Sequence, residues 1–193
     1  SLDAGSNYNV FIGENVSDAA MNDAINNVGI GYQALSALTT GDYNTAVGHS
    51  ALLRGTTSEV NVALGAIAMQ ALVTGDQNTA LGTNALYTLN GGGDNTSVGH
   101  NSGDAVTTAS GSVFVGQDAG GSITTGNRNI AIGLDAMNGG TTIGDNNIAI
   151  GANAGDALTS GQQNVLMGKD AGGALSTSNS NVAVGHEALS TQV

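Results

Sequence analysis

Thr40-Gly41-Asp42-Tyr43-Asn44-Thr45-Ala46-Val47-Gly48-His49-Ser50-Ala51-Leu52 holds the phrase that decides the fold: Asn, an aliphatic or Thr, a small residue, an aliphatic, then Gly. The phrase returns eleven times, ending on Gly13, Gly31, Gly48, Gly65, Gly82, Gly99, Gly116, Gly133, Gly151, Gly168 and Gly185. Successive glycines are 17 residues apart in eight cases and 18 in two. A unit this short cannot bury its own apolar face, so only stacking on its neighbours makes a core. The expected fold is mainly β: a parallel β-solenoid (β-roll or β-helix) of about eleven 17-residue coils. Stacked at ~4.8 Å per strand spacing, they make a rod of roughly 50 Å.

Each unit is numbered from its Asn. Place 1 holds Asn9, Asn27, Asn44, Asn61, Asn78, Asn95, Asn129, Asn147, Asn164 and Asn181, with Ser112 the exception. Stacked amides can hydrogen-bond along the rod as an Asn ladder; the alternative is a turn residue tolerated at positive φ. Places 2 and 4 are aliphatic or Thr, good strand material, and share a face by the period of two. Place 3 points the other way and is small: Ala46, Ala63, Ala80, Ala131, Ala149, Ala183, Gly29 and Ser97. A strand apolar on one face and tiny on the other is covered on both, so the small face is expected to pack against another chain.

Place 8 is Ala in nine coils, and place 9 is Leu or Met (Leu35, Leu52, Met69, Leu86, Met137, Leu189) or else Gly. An aliphatic follows at place 12 in most units, for example Leu38, Leu72, Leu89 and Leu158. Spacing of i, i+1, i+4 fits a helical turn, whereas the Gly pairs at 120–121 and 172–173 oppose a helix. This second element is therefore a short helical turn or a short strand. Thr-Thr-Gly and Gly-Asp-x-Asn close the unit as loop chemistry, which accounts for much of the acidity. Residues 1–26 fit the pattern least and read as an irregular first coil or N-terminal cap on an open sheet edge. Residues 27–193 are the regular repeat of a single domain. The sequence stops mid-coil at Val193, so a segment of a longer protein is expected.

The 193 residues carry 31 Gly, no Pro, Trp or Cys, and only 3% aromatics, yet 40% are apolar. That composition suits a thin, tightly stacked core. The net charge is −12, with Arg54, Arg128 and Lys169 the only Lys or Arg. Such a field makes nucleic acid and anionic membrane poor partners, and no apolar run approaches the ~20 residues of a membrane-spanning helix.

Residues 40–52 and Asn-Asn-Ile-Ala-Ile-Gly-Ala-Asn-Ala-Gly (146–155) resemble the repeat region of phage and giant-virus tail fibres that often precedes a self-cleaving intramolecular chaperone. They are also similar to the head repeat of trimeric autotransporter adhesins, whose unit is shorter. The resemblance covers about residues 9–193. It implies a homotrimer of parallel β-coils, extracellular on a virion or cell surface, as a structural or adhesive segment such as a tail fibre shaft or host-attachment segment, or else a bacterial adhesin head. Its partners would be itself and a host cell-surface receptor or glycan. No family catalytic residue maps onto the chain.

Chemistry in the repeat itself is sparse. His49, His100 and His186 all follow the Gly but lie at least three rungs apart, roughly 14 Å, too far for shared coordination. No calcium-loop signature is present. A glycosidase needs paired carboxylates in an aromatic cleft, but Tyr8, Phe11, Tyr32, Tyr43, Tyr87 and Phe114 are scattered and Glu14, Glu59 and Glu187 isolated. No enzyme, metal or cofactor is expected. The remaining binding candidate is a Thr column before the closing loop: Thr40, Thr57, Thr74, Thr108, Thr125 and Thr142. Such a column suits an ice-binding solenoid; alternatively its hydroxyls satisfy loop backbone.

Overall fold

The computed structural model describes residues 8–19 and 22–191. Eleven three-residue strands recur once per lap, from β1 (Val10–Ile12) through β4 (Val62–Leu64), β7 (Val113–Val115) and β10 (Val165–Met167) to β11 (Val182–Val184). Each pairs in parallel with the next in one sheet whose order is the chain order. Register is fixed place on place: Val10 faces Val28, Ala46 faces Ala63, and Met167 faces Val184. The chain is a parallel β-solenoid with coils of about 17 residues.

No helix occurs among the described residues. The second element is neither helix nor strand but a run of turns in which alternate residues have positive φ. In the third coil these are Gly48 (139°), Ser50 (52°) and Leu52 (49°), with Val60 (57°) closing the lap. The same places recur, as at Ile67 and Met69, or Asp135 and Met137. An α-helix needs consecutive residues at negative φ, so this backbone cannot continue as one despite the apolar spacing. The alternation sends amides both ways along the rod. Ser50 N–H donates back to Tyr32 O (2.8 Å), and Leu52 N–H donates on to Ala68 O (2.9 Å). A non-Gly residue in this conformation costs roughly 1–2 kcal/mol; at place 9 full burial of Leu52 or Leu86 offsets it. At Gly48 a side chain is excluded outright, since a Cβ would lie 2.5 Å from Gly65 O.

The middle residue of every strand is buried, and the residues flanking it are not. This corrects the expected orientation. The small face looks inward, where Ala46, Ala63 and Ala80 meet the Ala, Leu and Met side chains of places 8, 9 and 12 in one core. The aliphatic pair at places 2 and 4 faces outward. Core volume is traded locally. Where place 3 is Phe114, the adjacent place-9 residues are Gly103 and Gly120, and a Cβ there would sit 2.7 Å and 2.4 Å from the Phe114 ring. Leu166 stands likewise between Gly155 and Gly172.

The Asn ladder is present. Asn27 Oδ1 accepts from Asn44 N–H (2.8 Å) and Asn44 Nδ2 (3.1 Å), and Asn44 Nδ2 also donates to Ser58 O (2.8 Å). Positive φ falls on the preceding residue, such as Tyr43 (58°), and not on the Asn. At Ser112 the hydroxyl still accepts from Asn129 N–H (3.1 Å), but the amide-to-amide link is lost. The first lap joins the sheet through β1, and Asn9 joins the ladder by accepting from Asn27 N–H at 2.8 Å. It carries an additional positive φ at Asp23 (69°). The expected segments at 1–7, 20–21 and 192–193 lie outside the described residues.

Candidate functional site

In-register stacking turns each place of the repeat into a column, so a site is either a column or a break in one. The most extensive is the outer sheet face. Its two outward residues per strand run from Val10 and Ile12 to Val182 and Val184, all aliphatic or Met except Thr45, Thr79 and Thr96. None is charged, although the chain carries −12 overall. Leu64 and Leu81 remain 43% and 42% exposed. The stripe is roughly 48 Å long and about 10 Å wide, on the order of 500 Å², near the top of what a monomeric surface carries.

Acidic residues gather in the turns. At place 16, or place 17 in the 18-residue lap, a carboxylate or amide oxygen accepts a backbone N–H from the rung before: Asp42 from Ile25 (2.8 Å), Asp76 from Glu59 (2.8 Å), Asp145 from Asn127 (2.6 Å). These Asp residues hold the loop. At place 7, Asn84, Asn101 and Asp118 form a second, outer amide chain, Nδ2 to Oδ1, at 2.9 Å per step. Burial, and behind it the Asp118 charge, pushes the Asp104 carboxyl above its usual range; burial and then the Asp170 charge do the same to Asp156. Asp170 is held low by Lys169 (2.9 Å) and by Asn153 (2.8 Å).

The three histidines remain in separate coils, and His49 stacks on Tyr32 with ring centroids 5.3 Å apart. His186, however, lies beside Glu187 and Asp170, the three ligand atoms within 4.8 Å of one another. Sequence reasoning compared histidine with histidine; comparing His186 with a carboxylate one lap earlier would have found this group. Lys169 pairs with Asp170 there (2.9 Å), and Glu187 lies 3.7 Å from His186 Nε2.

The Thr column divides. Thr40, Thr57, Thr74, Thr108 and Thr125 face solvent. Thr142 does not: it is fully buried and donates to Leu158 O (2.8 Å) and Gly140 O (3.1 Å). Its coil has 18 residues, and the bridge between Ile123 and Thr142 places it inside, leaving Ile143 outward at 53% exposure. Hydroxyls bonding loop carbonyls belong to the place before, as with Thr39 to Thr56 O (2.9 Å) and Thr107 to Thr124 O (3.1 Å). These five rungs each offer one outward Thr at that place, and the rungs of Gly91, Thr142 and Ser160 offer none there.

A groove of about 330 Å³ opens on the lap side away from the sheet, between Arg54, Gln70, Tyr87 and Asn90. No family model, curated protein or solved structure matches the chain.

Proposed function

We propose that the chain is a structural and adhesive segment of an extracellular fibre, a tail-fibre-like shaft, assembled as a parallel homotrimer whose outer sheet faces meet at the axis. The uncharged apolar stripe carries this reading. Burying on the order of 500 Å² per chain returns about 12 kcal/mol, against roughly 4–15 kcal/mol lost on association. Self-association is therefore worthwhile only if the whole length engages. A second copy offers the same rung spacing over that length, and meets the face without juxtaposing charges. The assembled rod spaces a receptor-binding tip from its base or presents its own rungs to a host surface, and performs no catalysis.

Solution mass tests this. The trimer mass is expected, with monomer expected for the Leu64→Glu/Leu81→Glu variant at unchanged far-ultraviolet circular dichroism. A monomeric wild-type chain at micromolar concentration overturns the reading. The exposed Thr column supports ice binding as a second reading, and thermal hysteresis in the purified protein would favour it over the fibre.

A further inference from the structure

The groove arises where two longer side chains, Arg54 and Thr88, interrupt a place-11 column that is otherwise mostly Ala. At place 11 the short Ala71 stands between Arg54 and Thr88, and at place 13 Val73 precedes Asn90. Between those longer side chains, Ala71 and Val73 form an apolar floor. Gln70 and Tyr87, stacked at place 10, form one wall. Arg54 and Tyr87 are two rungs apart, roughly 10 Å along the rod.

The rim groups are uncommitted. The Thr88 hydroxyl is bound to Val106 O (3.0 Å), but the Arg54 guanidinium, the Gln70 and Asn90 amides and the Tyr87 hydroxyl have no hydrogen bond or ion pair to any described residue. Arg54, like Arg128, has no carboxylate partner among the described residues, so its guanidinium is available to a ligand. Its fork of donors matches a carboxylate in bidentate geometry. Side-chain amides supply adjacent donors and acceptors for vicinal hydroxyls. Tyr87, 39% exposed, presents an aromatic surface beside the apolar floor. The groove is also within the size range of small-ligand sites.

We infer that this groove binds a carboxylate-bearing sugar, a hexuronate or sialate residue of a glycan, with the carboxylate on Arg54, hydroxyls on Gln70 and Asn90, and the C–H face of the ring on Tyr87 and Val73. A bare inorganic anion uses the Arg but neither the ring nor the floor. The net negative charge of the rod opposes an acidic ligand at long range, but at physiological ionic strength screening acts over about 8 Å. No carboxylate lines the groove. The site rests on the surface-attachment part of the fibre reading and not on trimerisation.

The test is calorimetric titration of the intact chain with trigalacturonic acid and with sialyllactose, and with lactose and acetate as controls. Saturable binding of one acidic sugar is expected, at least tenfold tighter than lactose or acetate, with tenfold or greater weakening in Arg54→Gln and in Tyr87→Ala. Both variants change exposed side chains, and their melting curves and solution masses should match wild type. Failure of both acidic sugars to bind at millimolar concentration, or binding that Arg54→Gln leaves unchanged, overturns the site. A trimer that binds neither sugar removes the groove and leaves the fibre; a monomer that binds one does the reverse.

Discussion

Replacing Phe114 with Ala and Gly120 with Leu together should damage the rod far less than the two separate changes would suggest. Phe114 is fully buried, and its removal alone opens a cavity costing about 3–5 kcal/mol. Gly120→Leu alone puts a side chain where even a Cβ would lie 2.4 Å from the Phe114 ring, at φ 68°. Overpacking of about 1–3 kcal/mol then adds to left-handed strain of roughly 1–2 kcal/mol. In the double variant the leucine enters the space the ring vacated, recreating the pairing of Ala80 with Leu86. Only the backbone strain and an imperfect fit remain, about 2 kcal/mol. A coupling of about 3 kcal/mol or more between the two sites is expected. Denaturant unfolding of the four proteins, read by circular dichroism and by hydrogen exchange at rungs six to eight, measures it. If the separate effects add to within about 0.5 kcal/mol, the exchange of volume between strand and turn is not what packs this core.

The ladder makes two further predictions. Asn61→Ala removes bonds to Gly75 O and Asn44 Oδ1 and strands Asn78 N–H, so unfolding should ease by about 3 kcal/mol or more, whereas Ser112→Asn restores the missing link and should stabilise by about 1 kcal/mol. The Asp104 carboxyl, raised by burial and Asp118, favours the fold when protonated. That contribution is complete below the unfolded value of about 3.9 and is lost as pH rises through the higher folded value. Asp104→Asn should therefore raise the melting temperature at pH 7, with the gain vanishing near pH 3 in pH-dependent melts. Asp170, lowered by Lys169 and Asn153, has the opposite sign: its stabilisation holds above the unfolded value and is lost as pH falls through the folded one.

The period alone made the stack, its register and the Asn ladder legible, because a column needs only residues at constant spacing. The turn element was not legible as such, since Ala51, Leu52 and the next aliphatic imitate a helical face while their backbone alternates in handedness. The clue was place 9, occupied by Leu, Met or Gly: a left-handed residue favours Gly, and a close-packed ring at Phe114 enforces it. The inward face was inverted because small residues suggested a neighbour's surface; in so thin a coil the opposite wall already fills the interior. Thr142 was misplaced by the single extra residue of its lap. The groove at Ala71 becomes readable only after the columns are aligned.

A chain of near-identical laps carries a hazard of its own: a growing stack could accept the wrong lap, skipping one and sealing it out as a loop. The bulky Phe114 and Leu166, each seated between two glycines, act as index marks against that error. Shifted by one lap, the Phe114 ring would collide with Met137 or Leu86 instead of entering its notch. Two irregular rungs thus give the uniform ones an address.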